Sequence, residues 1–226
     1  QLYGQMAELA CVARLKRFVS PSLAELVVSE GSEHCVQPQQ REMVVVCCAL
    51  RGVAALAAQV SPAEVWAVLQ EYHAVMGPPI VQGHGTLERF AGTHLRVVFP
   101  GLQSGAEAAG HAVRMALRMQ ERLAPLCLRW GKQQYPVAVG IGIAQGEATQ
   151  GLLHCAEQLD YTVLGPVTEM AAHLCACAPD GQILVHLPLW EHLADLVDAV
   201  PYRLPTQAGG VEKGVAMHVL QAVSPP

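Results

Sequence analysis

The feature that most constrains the fold is an unbroken run of eight apolar residues. Positions 43–50 read MVVVCCAL, with three consecutive valines and no charged side chain. A strand with one face in water alternates apolar and polar residues, whereas a strand covered on both faces is apolar throughout. The run therefore predicts a buried central strand.

The composition excludes several classes of protein. The chain has 226 residues, of which 52% are hydrophobic and 15% charged, with a net charge of −5. No apolar run approaches the roughly 20 residues that a membrane-spanning helix needs. The acidic balance without a basic block argues against nucleic acid as a partner, and the apolar content argues against disorder. We expect a soluble, cytoplasmic domain that buries part of its surface against a partner.

The eight cysteines lack the paired spacing of a zinc site. Cys47 and Cys48 are adjacent in the predicted strand and so point to opposite faces, which argues against a disulfide between them. Cys175-Ala-Cys177 is a weak metal signal, and the ten histidines show no HxxxH or HxH spacing. We expect reduced core cysteines and no bound metal.

The first 40 residues predict an N-terminal helical segment and linker. Helical patterns cover 5–17 and the stretch from Ser20-Pro21 to position 28, and 31–41 is polar and turn-like. Because the first residues already read as helix without a leader sequence, we interpret the chain as part of a longer protein.

The rest of the chain alternates strand and helix signals. Ser61-Pro62-Ala63-Glu64 has the form of a capping box and predicts a helix that ends near Gly77-Pro78. The other predicted strands are 86–91, 94–99, 137–144, 148–153, 161–164, 182–186, 202–204 and 216–222, and the other helices are 106–123, 167–177 and 188–196. Hairpins mixed with crossover helices favour an α+β sandwich whose helices cover one central sheet.

Five motifs resemble one known family, the class III nucleotide cyclase catalytic domain. They are VVVCCALRG at 44–52, GTLERFAGT at 85–93, VGIGIAQGE at 139–147, LDYTVLG at 159–165 and EKG at 212–214. The family makes cyclic AMP or cyclic GMP from ATP or GTP. The resemblance implies a ferredoxin-like sandwich over 41–226, with a mostly antiparallel sheet, joined through the N-terminal segment to an upstream sensor.

The same resemblance implies that the metal site is lost. The family holds two Mg²⁺ ions with one Asp on each of two neighbouring strands, and those positions are Ala49 and Thr93 here. Hard divalent cations need anionic oxygen ligands, which alanine and threonine do not supply. We therefore expect no Mg²⁺ cofactor.

The second half of the family's site is also replaced. An Asn that orients the ribose and an Arg that stabilises the transition state correspond to Glu169 and His173. A glutamate repels the polyphosphate, and a histidine cannot copy the guanidinium fork. Cyclase sites form between two subunits, each giving one half, and this chain keeps neither half.

Three positions resemble the family's nucleotide-binding residues more closely. Arg89 takes the place of the purine-reading Lys, Thr162 that of its Asp or Thr partner, and Lys213 that of a phosphate-binding Lys. Alternatively, Thr162 is an ordinary strand residue, and Arg89 and Lys213 are solvated surface groups.

The sequence thus predicts a catalytically inactive cyclase homology domain that acts as a dimerisation and regulatory module. Its expected partner is a second copy or another cyclase-type domain. The alternatives are a nucleotide-sensing domain without turnover and an adenylate cyclase with atypical active-site residues.

Overall fold

The predicted central strand lies in the middle of an eight-stranded mixed sheet. A computed structural model of the protein describes residues 37–100, 105–156, 158–204 and 215–222. Within them the strands are β1 Gln39–Arg51, β2 Thr86–Ala91, β3 His94–Pro100, β4 Ala138–Cys155, β5 Gln158–Leu164, β6 Gln182–His186, β7 Val197–Arg203 and β8 Val215–Ala222. The helices there are α1 Val53–Ala57, α2 Pro62–Gln82, α3 Gly105–Lys132, α4 Pro166–Cys177 and α5 Leu187–Trp190.

The strand order confirms the predicted α+β architecture. It runs β2-β3-β1-β4-β6-β8-β7, with β5 paired to β4. The β4–β6 pair is parallel, and the other pairs are antiparallel. The parallel pair requires a crossover, which β5 and α4 provide between β4 and β6.

Strand β1 is buried on both faces, as the apolar run predicts. Val44, Val46, Cys48 and Leu50 lie in one apolar cluster with α2 and α3, on what we call the α2–α3 face. The alternate residues from Met43 to Ala49 lie in a second cluster with α4, on the α4 face. Cys47 and Cys48 therefore point to opposite faces, and both are free thiols.

Two glycines let α4 lie directly on the backbone of β4. A Cβ atom at Gly142 would lie 2.3 Å from the carbonyl oxygen of Ala171 and 2.3 Å from the amide nitrogen of Cys175. One at Gly140 would lie 2.3 Å from the carbonyl oxygen of Cys175. Any other residue at these positions would push the helix away from the sheet, because backbone atoms cannot rotate aside.

The two long helices extend beyond their predicted ends. The capping box at Ser61 and Glu64 is confirmed, but α2 continues through Pro78 and Pro79 to Gln82. Helix α3 passes Pro125 and ends at Lys132 rather than near 123. Prolines weaken a helix locally. Here the continuations bury apolar side chains, among them Ile80 and Trp130.

The two predicted strands 137–144 and 148–153 are a single strand, β4, so the predicted break between them is wrong. Strand β4 pairs with β1 without a break, with Gly146 opposite Met43 and Glu147 opposite Glu42. Strand β1 begins at Gln39, so the predicted linker is shorter than 31–41. Residues 39–42 of β1 and 147–150 of β4 are mostly polar, and their pairing with each other keeps both stretches extended.

Smaller corrections affect the C-terminal part of the sheet. The predicted helix 188–196 is the single turn α5, and β7 is longer than the predicted 202–204 because it pairs along β8. The predicted helices 5–17 and 20–28 lie outside the described residues. No helix in the described ranges is long and apolar enough to cross a membrane.

We predict that Gly142→Ala lowers the free energy of unfolding by about 2–3 kcal/mol, since an added methyl group must displace α4 backbone. Denaturant unfolding followed by circular dichroism measures the loss. Gly131→Ala in α3 is the matched control, because nothing lies within 4 Å of its added Cβ atom. An equal loss in both variants would contradict the packing account.

Candidate active site

The two positions expected to hold metal in the family are neighbours in the structure. Ala49 on β1 pairs with His94 on β3, and the amide of Leu50 donates a 2.9 Å hydrogen bond to the carbonyl oxygen of Thr93. Thr93 lies at the turn of the β2–β3 hairpin. The topology therefore brings together the two positions that the sequence singles out.

The side chains at these positions do not fit a pair of magnesium ions. Ala49 is buried in the apolar cluster of the α4 face and offers no ligand atom. The hydroxyl of Thr93 lies 2.9 Å from Nδ1 of His94, which leaves one neutral oxygen at the site. Across the described ranges, no group of three or more His, Cys, Asp or Glu side chains is placed to hold a metal ion.

Helix α4 carries Glu169 and His173, the two positions that the resemblance implies are replaced, on one side. Glu169 is exposed and His173, one turn later, is half-buried. The guanidinium of Arg51 donates 2.7 Å hydrogen bonds to the carbonyl oxygens of Ala176 and Ala178, at the C-terminus of α4. A cation at the carboxyl end of a helix is favourable, so Arg51 fixes α4 to the end of β1.

Arg89 and Thr162 lie close together, as the nucleotide-binding hypothesis requires. Nη2 of Arg89 lies 3.4 Å from Oγ1 of Thr162 and 3.2 Å from Oδ2 of Asp160. The side chains of Arg89 and Asp160 are 46% and 63% exposed, so their ion pair is weak and open to competition. Lys213 lies outside the described residues.

A buried carboxylate that sequence reasoning missed lies beneath this pair. Oε1 of Glu88 accepts hydrogen bonds from the hydroxyl of Thr162 at 2.9 Å, the amide of Val163 at 3.2 Å and Nη2 of Arg96 at 2.6 Å. Its Oε2 accepts one from Nε of Arg96 at 2.5 Å. The Glu88 side chain is 1% exposed and that of Arg96 is 19% exposed. We call these four residues the Glu88 network.

The Glu88 network depends on an irregularity that strand alternation does not reveal. The pairing of β2 with β3 shifts between Leu87 and Arg89, so Glu88 is the extra residue of a β-bulge. A bulge re-aims a side chain, and here it brings the carboxylate beside Arg96. The opposite charges of Glu88 and Arg96 on the two strands of one hairpin are the signal that a sequence reading could have used.

The thiols beneath α4 are core groups. Burial raises the pKa of Cys47 to about 11 and that of Cys175 to about 12, so both stay protonated at neutral pH. The Cys175 thiol donates a 3.1 Å hydrogen bond to the carbonyl oxygen of Gly140. Both thiols are therefore packing groups of the core in this structure.

A cleft of about 450 Å³ lies beside the N-terminus of α4, along the middle of β4 and next to the end of β6. Its walls include Gly165, Met170 and His186, and burial lowers the pKa of His186. Among the described residues, neither Arg89 nor Thr162 lines this cleft. Arg89 is exposed and Thr162 is buried, so the guanidinium is the part of this pair that a ligand would meet first.

A family model described as the adenylate and guanylate cyclase catalytic domain matches residues 36–220. An adenylate cyclase of Anabaena cylindrica is 26% identical over 166 residues, covering 70% of this chain and 32% of that protein. Adenylate cyclase 1 of Rhizobium meliloti is 30% identical over 115 residues, covering 50% of this chain and 17% of the relative. The chain thus spans a third or less of the length of these curated relatives.

Solved structures share the fold over most of the chain. The adenylyl cyclase CyaB from P. aeruginosa superposes with a TM-score of 0.74 at 22% identity, over 82% of this chain and 96% of its own. The guanylyl cyclase Cya2 gives a TM-score of 0.73 at 25% identity, over 83% and 96%.

We predict that Glu88→Gln lowers the free energy of unfolding by about 2–3 kcal/mol, because it leaves the largely buried Arg96 without its counter-charge. Asp160→Asn is the matched control, since it neutralises an exposed partner and is expected to cost at most about 0.5 kcal/mol. Chemical denaturation measures both. A loss as large in the control would show that Glu88 has no special role.

Proposed function

The chain belongs to the adenylate and guanylate cyclase catalytic domain family, and on that basis we propose that it is a catalytically inactive member. Its role is that of a dimerisation and regulatory module in cytoplasmic cyclic-nucleotide signalling. The observation that carries the proposal is the pair Ala49 and Thr93, adjacent in space and without a carboxylate.

The chemistry of cyclisation supports this proposal. An in-line phosphoryl transfer needs cations to hold the phosphates and to neutralise charge at phosphorus. Ala49 supplies no ligand, and Thr93 supplies one neutral oxygen that already contacts His94. Metal ions held in this way would be bound too weakly to act as cofactors.

The α4 side of the site adds a second obstacle. The family's transition-state Arg corresponds to His173, and an arginine in such a role contributes about 10³-fold or more to the rate. Glu169 is exposed on the same side of the helix and would repel a polyphosphate. Because both halves of the shared site are changed, pairing with a competent subunit would not restore activity in either composite site.

Exposed apolar side chains close to the candidate site support a role in association. Phe90 follows Arg89 on β2, Leu164 ends β5, and Leu153 lies on the β4 segment paired with β5, and all three are exposed. Exposed large apolar side chains are found at interaction surfaces. We propose a second copy, or another cyclase-type domain, as the partner.

We predict no formation of cyclic AMP or cyclic GMP above background when the purified chain is given ATP or GTP with Mg²⁺ or Mn²⁺. Mass spectrometry of the products measures turnover, and an active cyclase domain assayed in parallel shows that the conditions support catalysis. Turnover clearly above a no-protein blank would overturn the proposal and favour a cyclase with atypical ligands.

The contact between Arg89 and Thr162 favours a second candidate function, the sensing of a nucleotide without turnover. Arg89 is exposed, and its weak pair with Asp160 leaves the guanidinium able to turn to a base. Against this, the Thr162 hydroxyl already donates its proton to Glu88 and can only accept from a ligand.

Calorimetry with ATP, GTP, cyclic AMP and cyclic GMP at millimolar concentration separates the two functions. If the chain senses nucleotides, we predict binding heat that Arg89→Ala removes, because the guanidinium supplies the donors that read the base. Arg129→Ala is the matched control, since that residue is an exposed arginine on α3 paired with Glu71. No heat with any nucleotide would remove the sensing function.

A further inference from the structure

The outer side of helix α3 carries a row of three cations. Arg114, Arg118 and Arg122 follow one another at four-residue intervals, and all three are exposed. Residues four apart lie on the same side of a helix, and like charges at that spacing weaken it. The ion pairs found within the described ranges involve other arginines. We call these three residues the arginine row.

The arginine row concentrates positive charge in a chain whose net charge is −5. The exposed carboxylate of Glu121 lies beside the row and offsets one of its charges, whereas the exposed Lys132 adds another. Leu128 lies almost four turns after Arg114, so it faces the same way, and it is 69% exposed. Guanidinium groups bind carboxylates through paired hydrogen bonds. This side of α3 therefore suits a partner that presents carboxylates beside apolar side chains.

A stretch near the C-terminal end of the same chain has this chemistry. Glu191 and Asp195 are exposed and lie four residues apart, directly after α5. Leu187 and Leu196 flank them and are 43% and 36% exposed. The chain contains no lysine or arginine from position 180 to 202. We call residues 187–196 the acidic stretch.

The arginine row and the acidic stretch lie on the same face of the molecule. Leu189 and Leu193 anchor the acidic stretch in the apolar cluster of the α2–α3 face. Helices α3 and α5 both contact β6 and β8, so the two surfaces are neighbours. A two-fold axis between them, in the plane of contact, would place the arginine row of each copy on the acidic stretch of the other. Such a contact is isologous and closed, because each copy supplies both charges.

The opposite charges also match in spacing. Arg118 and Arg122 are about one helical turn apart, which separates their Cβ atoms by about 5–6 Å. Glu191 and Asp195 are the same number of residues apart, in a stretch of consecutive turns closed by backbone hydrogen bonds. Two ion pairs can therefore form in each half of the contact. Ion pairs of this kind select the partner, and the exposed leucines beside them supply apolar surface to bury.

We propose that two copies of this chain associate through these surfaces, with the arginine row of each copy on the acidic stretch of the other. The contact uses neither the candidate site nor the exposed Phe90, Leu153 and Leu164 near it. It is also independent of the loss of catalysis. Turnover of ATP or GTP would leave it standing, and its failure would leave the proposed function standing.

Charge reversal tests the contact in the intact chain. One variant combines Arg118→Glu with Arg122→Glu, and the other combines Glu191→Arg with Asp195→Arg. Each variant alone sets like charges against each other in both halves of the contact, so its dissociation constant for self-association should rise at least about tenfold. A mixture of the two restores opposite charges in both halves and should associate about as tightly as the native chain. Sedimentation velocity with one fluorescently labelled component measures each constant.

Arg41→Glu is the matched control for Arg122→Glu alone. Arg41 is exposed near the start of β1 and, by strand alternation, shares the side of Met43 on the α4 face. It should leave the dissociation constant unchanged, whereas Arg122→Glu should raise it. Raising NaCl from about 0.1 M to about 1 M should also weaken the native contact, because the Debye length falls from about 10 Å to about 3 Å. Circular dichroism confirms that each variant is folded.

Several results would overturn the proposal. They are a native chain that stays monomeric at low salt, self-association that the reversed variants leave unchanged, equal weakening by Arg41→Glu, and a mixture that associates no better than either variant alone. A parallel sedimentation assay uses phosphatidylserine vesicles. Binding to them through Arg118 and Arg122, without association between copies, would assign the row to a membrane surface and would also overturn the proposal.

Discussion

The close contact of α4 with the backbone of β4 is the constraint on which the rest of the structure depends. Gly140 and Gly142 leave no side chain between the helix and the sheet. The backbone of α4 therefore contacts the backbone of β4 directly. That position buries Ala171 and Cys175 in the apolar cluster of the α4 face and leaves Glu169 exposed to solvent. Arg51 holds the C-terminus of α4 by hydrogen bonds. Both the distance of the helix from the sheet and its direction are therefore fixed.

The buried carboxylate of Glu88, beside the candidate site, is satisfied by hydrogen bonds within the chain. Glu88, Arg96 and Thr162 share a buried set of hydrogen bonds that joins the β2–β3 hairpin to β5. Buried polar networks of this kind favour one arrangement when every member is paired. These hydrogen bonds therefore hold the β2–β3 hairpin and β5 together. This structural role accords with the association function that we propose.

Much of the fold follows from local sequence patterns, whereas the errors come from distant packing. The apolar run in β1 and the capping box at Ser61 depend on neighbours in sequence, and both predictions hold. Helix α2 runs past Pro78 because it packs on α3, and β4 stays extended at Gly146 because β1 pairs with it about a hundred residues away in sequence. A local pattern carries no information about such partners.

Part of the candidate site can likewise be predicted from the sequence, and part of it cannot. Motif spacing identifies Ala49, Thr93 and Arg89 as neighbours of a site, because the family resemblance carries the topology with it. Glu88 escapes prediction because a bulge redirects it.

Strand β4 has a further property that follows from its length. At about 3.3 Å per residue, its 18 residues span roughly 60 Å. Its first part lies between β1 and β6, but beyond position 150 it pairs with β5 in a two-stranded ribbon. Such a ribbon is only marginally stable by itself. One continuous strand therefore joins a centre paired on both sides to an end, beyond the contact of Thr162 with Glu88, whose amide protons we expect to exchange faster with water.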